Sequence, residues 1–286
     1  MSSRCTQIGS SVGSGWTRGG EPACTVSGMA EGEGRFAPGV GAWLAGAGLV
    51  RDVVRQELVR RQLADHLPAR GRRLRVLDAG CGQGTRAIAL ARSGHEVVGL
   101  DVSDRLLGEA RRAVADELSE VRDCLSFIIG DVLALGDEHA DGYDVVCCHG
   151  VAMYLPALDE VVAALLRAAR PGGLVSILTR NRAGIAMRAG MTGDWPAALS
   201  GFDACHYDNR LGVQGVRADE PGEVRATLVG QGAEIEAWYG VRLFSDHWAS
   251  DTPVGGLDGL MAAEAEAGRR DPYRAVCALT HTIARR

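Results

Sequence analysis

The chain has 286 residues, 46% of them hydrophobic, with a mean hydropathy of −0.01 and a formal net charge of −5. That length suffices for one large core, and no apolar run approaches the roughly 18 residues of a membrane-spanning helix. All 31 basic residues are arginine, and the negative net charge argues against broad nucleic-acid binding. The eight cysteines contain no C-x-x-C pair and no zinc-type cluster with histidine, so no metal is expected. Residues 1–28 lack the apolar core of a secretory leader, so reduced thiols and a cytoplasmic location are expected.

Residues 1–35 are rich in Gly, Ser and Thr without periodicity and read as a disordered extension, with Met29 a second candidate start. A domain over 36–286 follows. Over 40–67 the apolar positions Leu49, Val53, Leu58 and Leu63, with Val54 and Val59, fall at helical spacing. A helix here would pack on the sheet edge and close a ligand site, with Arg51 near its start. Residues 74–77 read as a strand ending on Asp78, 85–92 as a helix, and 96–100 as a second strand ending on Asp101. Ser103 or Asp104 caps a helix running to about 118. A short strand at 125–129 leads into Gly130-Asp131-Val132, and the near-continuously apolar 143–148 reads as a strand covered on both faces. It runs into His149 and Tyr154.

A helix at 158–170, stopped by Pro171-Gly172-Gly173, precedes a strand at 174–179. Periodicity then fails over 180–220, which reads as a loop-like lid inserted after the fifth strand. The remaining pattern is a helix at 221–230, a strand at 234–244, a helix at 257–267 and a final, antiparallel strand at 275–285. The expected fold is α/β, a doubly wound, mostly parallel sheet of seven strands.

The chemistry concentrates in 74–101. Glycines at 80, 82 and 84 let a strand turn sharply into a helix with bare backbone against a ligand. Asp101, at the tip of the second strand, is placed to accept from two ribose hydroxyls, with Val102 beside it. Asp78 could hold a cationic amino group, and Asp131, between Gly130 and Val132, an adenine amino group. A dinucleotide fingerprint would read G-x-G-x-x-G, but position 85 is Thr, which argues against a nicotinamide-dependent oxidoreductase.

An acid before G-x-G-x-G resembles motif I of the class I S-adenosylmethionine (SAM) methyltransferases. More narrowly, the chain is similar to the bacterial enzymes that methylate the carboxylate of 5-carboxymethoxyuridine at the tRNA wobble position. The resemblance rests on LVR at 49–51, VLDAGCGQG at 76–84, HGV at 149–151, RPGG at 170–173, Asn181, GVRLF at 240–244 and DPY at 271–273. It implies SAM as cofactor, Arg51 on its methionine carboxylate, Gly80 and Cys81 along the methionine and ribose, and His149 beside the sulfonium. His149 is also the first candidate base for a hydroxyl acceptor, with His206 or His247 behind it. Tyr154, Asn181, His206 and Tyr207 are candidate acceptor contacts. Residues 202–216 hold only Arg210 as a base, so a small-molecule acceptor is expected first and tRNA second. A non-catalytic SAM-binding protein is the reading of another class.

Overall fold

The computed structural model describes residues 34–68, 71–249, 252 and 256–286. The expected disordered extension therefore lies, up to residue 33, outside the described residues. Gly34 and Arg35 belong to the folded part instead, where Arg35 Nη2 donates to the Gly215 carbonyl at 3.0 Å.

In chain order come α1 (Val40–Ala45), α2 (Val50–Ala64), β1 (Arg75–Ala79), α3 (Thr85–Arg92), β2 (Glu96–Asp101), α4 (Asp104–Ala115), α5 (Ser119–Arg122), β3 (Leu125–Ile129) and β4 (Tyr143–His149). Then follow α6 (Leu158–Ala168), β5 (Ala169–Arg180), α7 (Ala183–Met191), α8 (Trp195–Gly201), β6 (His206–Tyr207) and β7 (Val216–Arg217). The chain ends with α9 (Pro221–Gly230), β8 (Glu234–Val241), α10 (Leu257–Ala267) and β9 (Leu279–Arg285). Seven strands form one sheet in the order β3-β2-β1-β4-β5-β9-β8. The first five are mutually parallel, and β9 pairs antiparallel with both β5 and β8. The order reverses between β1 and β4, the point where open α/β sheets bind ligands beyond their strands' carboxyl ends.

The strands are apolar on both sides because both sides are covered. Leu77, Val146, Val175 and Ile177 pack against Val161, Leu165 and Leu166 of α6 and Leu228 of α9. Their chain neighbours Val76, Val145 and Leu174 point the other way, against Leu63 of α2 and Ala87 and Ala91 of α3. No described helix is long and apolar enough to cross a membrane.

Two expectations change. The single helix at 40–67 is two, broken at Gly46–Gly48, and its buried stripe runs Val50, Val54, Leu58 and Leu63 with Arg55 and Gln62 on the same side. The segment 180–220 is not a loop: it holds α7, α8 and the ribbon β6–β7. Its helices are too short and too rich in Gly and Ala for a clear apolar period. Its two ends are stitched together where it leaves β5, Asp219 N donating to the Arg180 carbonyl at 2.9 Å and Arg182 N to the Asp219 carbonyl at 3.1 Å.

Candidate active site

The turn after β1 closes on β2. Gly80 N and Cys81 N donate to the Leu100 carbonyl at 2.7 and 2.9 Å, and Gly82 N donates to Asp101 Oδ2 at 2.8 Å. Asp101 Oδ1 accepts from Ser103 N at 2.9 Å, so this carboxylate locks the loops after both strands and keeps a lone pair on each oxygen. Gly80 has φ +77°, and a Cβ there would lie 2.1 Å from Val151 Cγ2, so alanine is excluded twice over. Gly84, φ +79°, caps α3 from the left-handed region.

A narrow cavity of about 140 Å³ opens above this turn. Gly80, Gly82, Asp101 and Val102 form one wall, and Gly130, Asp131 and Val132 another. His149, Gly150 and Tyr154 close the far end, and Phe36, Val40 and Trp43 cover it from the segment before α2. Asp131 is exposed, and its Oδ1 accepts from Leu133 N at 3.0 Å.

Three expected contacts sit behind the cavity rather than on it. Asp78 is fully buried, with Oδ1 accepting from Arg86 Nη1 at 3.1 Å and Oδ2 unpartnered. Burial raises its carboxyl pKa, against the pull of Arg86. Cys81 turns its thiol under the turn, where a Cβ on Gly99 would lie 2.9 Å from Sγ, and burial pushes that thiol well above its usual range. Gly84 packs toward Ala110 and Phe127. Arg51 lines a second, larger cavity.

That second cavity, about 610 Å³, shares Trp43, Gly150 and Tyr154 with the first. Its walls come from α2, the end of β5, the 180–220 segment and the stretch after β8, and they carry six arginines and four aspartates. Arg242 Nη2 lies 3.1 Å from Asp246 Oδ1, and Arg180 Nη1 and Arg188 Nη1 lie 3.6 and 3.9 Å from Oδ2. Arg188 Nη1 and Arg210 Nη2 donate to the Asp246 carbonyl at 2.7 and 2.9 Å. Three guanidinium groups thus converge on one carboxylate, and a fourth, Arg210, holds the same residue's backbone carbonyl. Burial by itself would raise the Asp246 carboxyl, but Arg242, Arg180, Arg188 and Arg210 together hold it below the usual carboxylate range. Nε of both Arg180 and Arg242 has no acceptor. Arg242 also keeps a left-handed backbone, φ +62°, a strained conformation retained in an arginine where glycine would be relaxed. The buried carboxylate of Glu264 holds that stretch in place, accepting from Leu243 N, Phe244 N, Ser245 N and Ser245 Oγ at 2.6–3.1 Å. Opposite, Arg55 pairs with Asp52 at 2.6 Å and stacks over Trp43, 4.6 Å from its ring centre.

Sequence reading does not bring the arginines around Asp246 together because they are spread over 180–242, although Arg242 lies within the GVRLF stretch and Arg210 is the base in 202–216. Of the expected acceptor contacts, Tyr154, His206 and Tyr207 do line this cavity. The Tyr154 hydroxyl accepts from Asn209 Nδ2 at 2.9 Å, and Arg180 covers the Tyr207 ring at 5.0 Å. Asn181 does not: it is fully buried, its Nδ2 donating to the Ala275 and Cys277 carbonyls at 2.9 and 2.8 Å and its Oδ1 accepting from Ala183 N. Its amide ties the end of β5 to the approach to β9, which corrects the expectation of a substrate contact. His247 lines neither cavity.

His149 lies at the end of β4 as expected, but only 4% exposed, with Nε2 2.7 Å from Ser176 Oγ. Burial, then the charge of Arg86 and the neighbouring His281, hold its pKa well below the usual imidazole range. Burial therefore disfavours the imidazolium that a general base at this position would have to form.

The narrow cavity suits an adenosyl cofactor. Bare backbone at Gly80 and Gly82 cradles it, Asp101 retains acceptor capacity for two hydroxyls, and the buried His149 Nδ1 beside it has no partner. The methyltransferase domain family matches residues 71–200, from β1 through most of α8. The chain is 27% identical over 244 residues to the tRNA 5-carboxymethoxyuridine methyltransferase of Escherichia coli strain K12, covering 84% of this chain and 89% of that protein. It is 36% identical over 107 residues to the ubiquinone biosynthesis O-methyltransferase of Shewanella pealeana, covering 37% of this chain and 44% of that one. A solved S-adenosylmethionine dependent methyltransferase from Mesorhizobium loti shares the fold, with TM-score 0.52 at 20% identity over 80% of this chain and 98% of that one. The matched residues hold β1–β5 and the turns that build the cofactor's seat, and the chain accordingly carries an S-adenosylmethionine-dependent methyltransferase domain.

Proposed function

We propose that the enzyme methylates a carboxylate oxygen, and that the acceptor is a carboxymethoxy group carried on a tRNA uridine. The arginine cluster is the observation that supports this reading. Four guanidinium groups around Asp246, two with idle Nε donors, line a cavity that meets the cofactor's. Planar guanidinium forks match carboxylates and phosphates in geometry and charge. When bound, SAM supplies a methyl group already activated on sulfur. A carboxylate is ionised at neutral pH and has no proton to lose, so no base is required, in keeping with a neutral, buried His149.

In this reading Arg180 and Arg242 orient the acceptor, and Phe36, Trp43 and Tyr154 keep water from the junction of the two cavities. Asp101 takes the ribose hydroxyls, Asp131 the adenine amino group and Arg51 the methionyl carboxylate. Extent of similarity favours tRNA over a small acid. The E. coli tRNA enzyme aligns with 84% of this chain, whereas the ubiquinone enzyme aligns with 37%. The scarcity of bases in 202–216 does not count against it, since Arg180, Arg188 and Arg242 come from outside that stretch.

The test uses SAM with a labelled methyl group, the full chain and a source-cell extract split into tRNA, protein and small-molecule fractions. Label in tRNA that mild alkali releases as methanol is the expected result, because esters saponify while ethers and N-methyl groups do not. Alkali-stable label would overturn the carboxylate reading. Alkali-labile label confined to small acids would retire tRNA and keep the ester chemistry.

A further inference from the structure

A polar chain runs through the interior behind His149. His149 Nε2 and His281 Nε2 each lie 2.7 Å from the hydroxyl of Ser176, and His281 Nδ1 lies 2.8 Å from Gln62 Oε1. Gln62 Nε2 donates to the Gly240 carbonyl at 3.4 Å. All four side chains are buried, drawn from α2, β4, β5 and β9.

The donors and acceptors allow one polarity. The Gly240 carbonyl can only accept, so the Gln62 amide nitrogen faces it and Oε1 faces His281. Nδ1 of His281 therefore carries the proton, and its Nε2 accepts from the Ser176 hydroxyl. Having given its one proton to His281, the serine oxygen accepts from His149, whose Nε2 is protonated. A neutral ring has one N–H, so Nδ1 of His149 is a bare lone pair. That nitrogen is buried with no protein partner, on a residue that lines the cofactor cavity.

We propose that Gln62, His281 and Ser176 are positioning residues that fix His149 in its Nε2–H tautomer, so that Nδ1 accepts a hydrogen bond from the ammonium group of the cofactor's methionyl end. The adenine amino group is excluded by distance. Asp131 follows β3 and His149 ends β4, three strands apart, about 14 Å at normal strand spacing. A tautomer with Nδ1–H would set a donor against a cation and repel it. The proposal concerns the cofactor alone and stands whichever acceptor the enzyme uses.

Two-bond proton–nitrogen correlation on the full chain with ¹⁵N-histidine, with His149→Gln to assign the peak, tests it directly. His149 should show the Nε2–H pattern, and its Nδ1 resonance should move upfield on saturation with S-adenosylhomocysteine. An Nδ1–H pattern, or an Nδ1 signal unmoved by that ligand, overturns the proposal. Ser176→Ala should weaken S-adenosylhomocysteine about tenfold while leaving 5′-methylthioadenosine, which lacks the amino-acid end, unchanged. Equal losses for both ligands would mark Ser176 as merely structural. Gln62→Glu preserves the acceptor for His281 and should keep the tautomer, and Gln62→Leu should release it. A tautomer indifferent to Gln62→Leu would also count against the chain.

Discussion

The two cavities grip their ligands by different physics. The narrow one is made of backbone: glycines without side chains, amide groups already satisfied by Asp101, and small apolar walls. Its shape is set once the sheet forms, and its charged lining is limited to Asp101, Asp131 and Arg35. The larger one is made of long, cationic side chains gathered on Asp246 and held by a stretch that Glu264 anchors. The first recognises by fit and cannot vary without losing the fold, whereas the second recognises by charge and can be retuned one side chain at a time. This is the division of labour that lets one fold serve many acceptors.

The comparison breaks first at Asp101. Asp101→Ala frees Gly82 N and Ser103 N as well as the ribose, and should weaken S-adenosylhomocysteine binding about hundredfold by calorimetry. A change of about threefold or less would mean that the acid does not organise the narrow cavity. Gly80→Ala attacks shape alone: strain at φ +77° plus the clash with Val151 should cost about 2–3 kcal/mol of stability in chemical denaturation. An alanine variant as stable as the parent would refute the fit argument.

Arg242→Ala probes the other cavity. Its kcat/KM on a carboxylate acceptor should fall about 30-fold, with the cofactor affinity held within about twofold. Equal losses in both would dissolve the separation between the cavities. The mildest test is pH. Burial, then Arg86 and His66, lower the His281 pKa to about 3, below its unfolded value of about 6.5. Below pH 6.5 the unfolded chain binds the extra proton, so the stability due to a neutral His281 is present above 6.5 and lost as the pH falls toward 3. The stability difference between parent and His281→Gln should shrink by about 1.4 kcal/mol per pH unit in that window. A difference independent of pH would show that His281 does not remain neutral in the fold.

Much of the narrow cavity is legible in the chain because its parts are neighbours. Strand, glycine turn, helix, strand and acid occupy 75–101 consecutively, and each step leaves a local mark: an apolar run, a positive-φ glycine, a polar residue closing a strand. Local marks also located the insertion after β5, but not its helices, whose small residues carry no period. Asn181 and His149 show the limit of such reading. Both stand at strand ends, where ligand contacts gather, yet side-chain direction turned Asn181 toward backbone carbonyls and His149 Nε2 toward Ser176. Asp78 and Cys81 belong to the right turn but point beneath it.

The sequence by itself determined the doubly wound sheet, its cofactor and the turn that receives it, since these depend on periodicity and backbone conformation within short stretches. Only the tertiary structure decided the acceptor side and the state of His149. Arg180, Arg188, Arg210 and Arg242 are separated by intervening helices and strands, and Gln62 lies 219 residues from His281. Charge clusters and hydrogen-bond chains depend on distances in space, which no local pattern encodes.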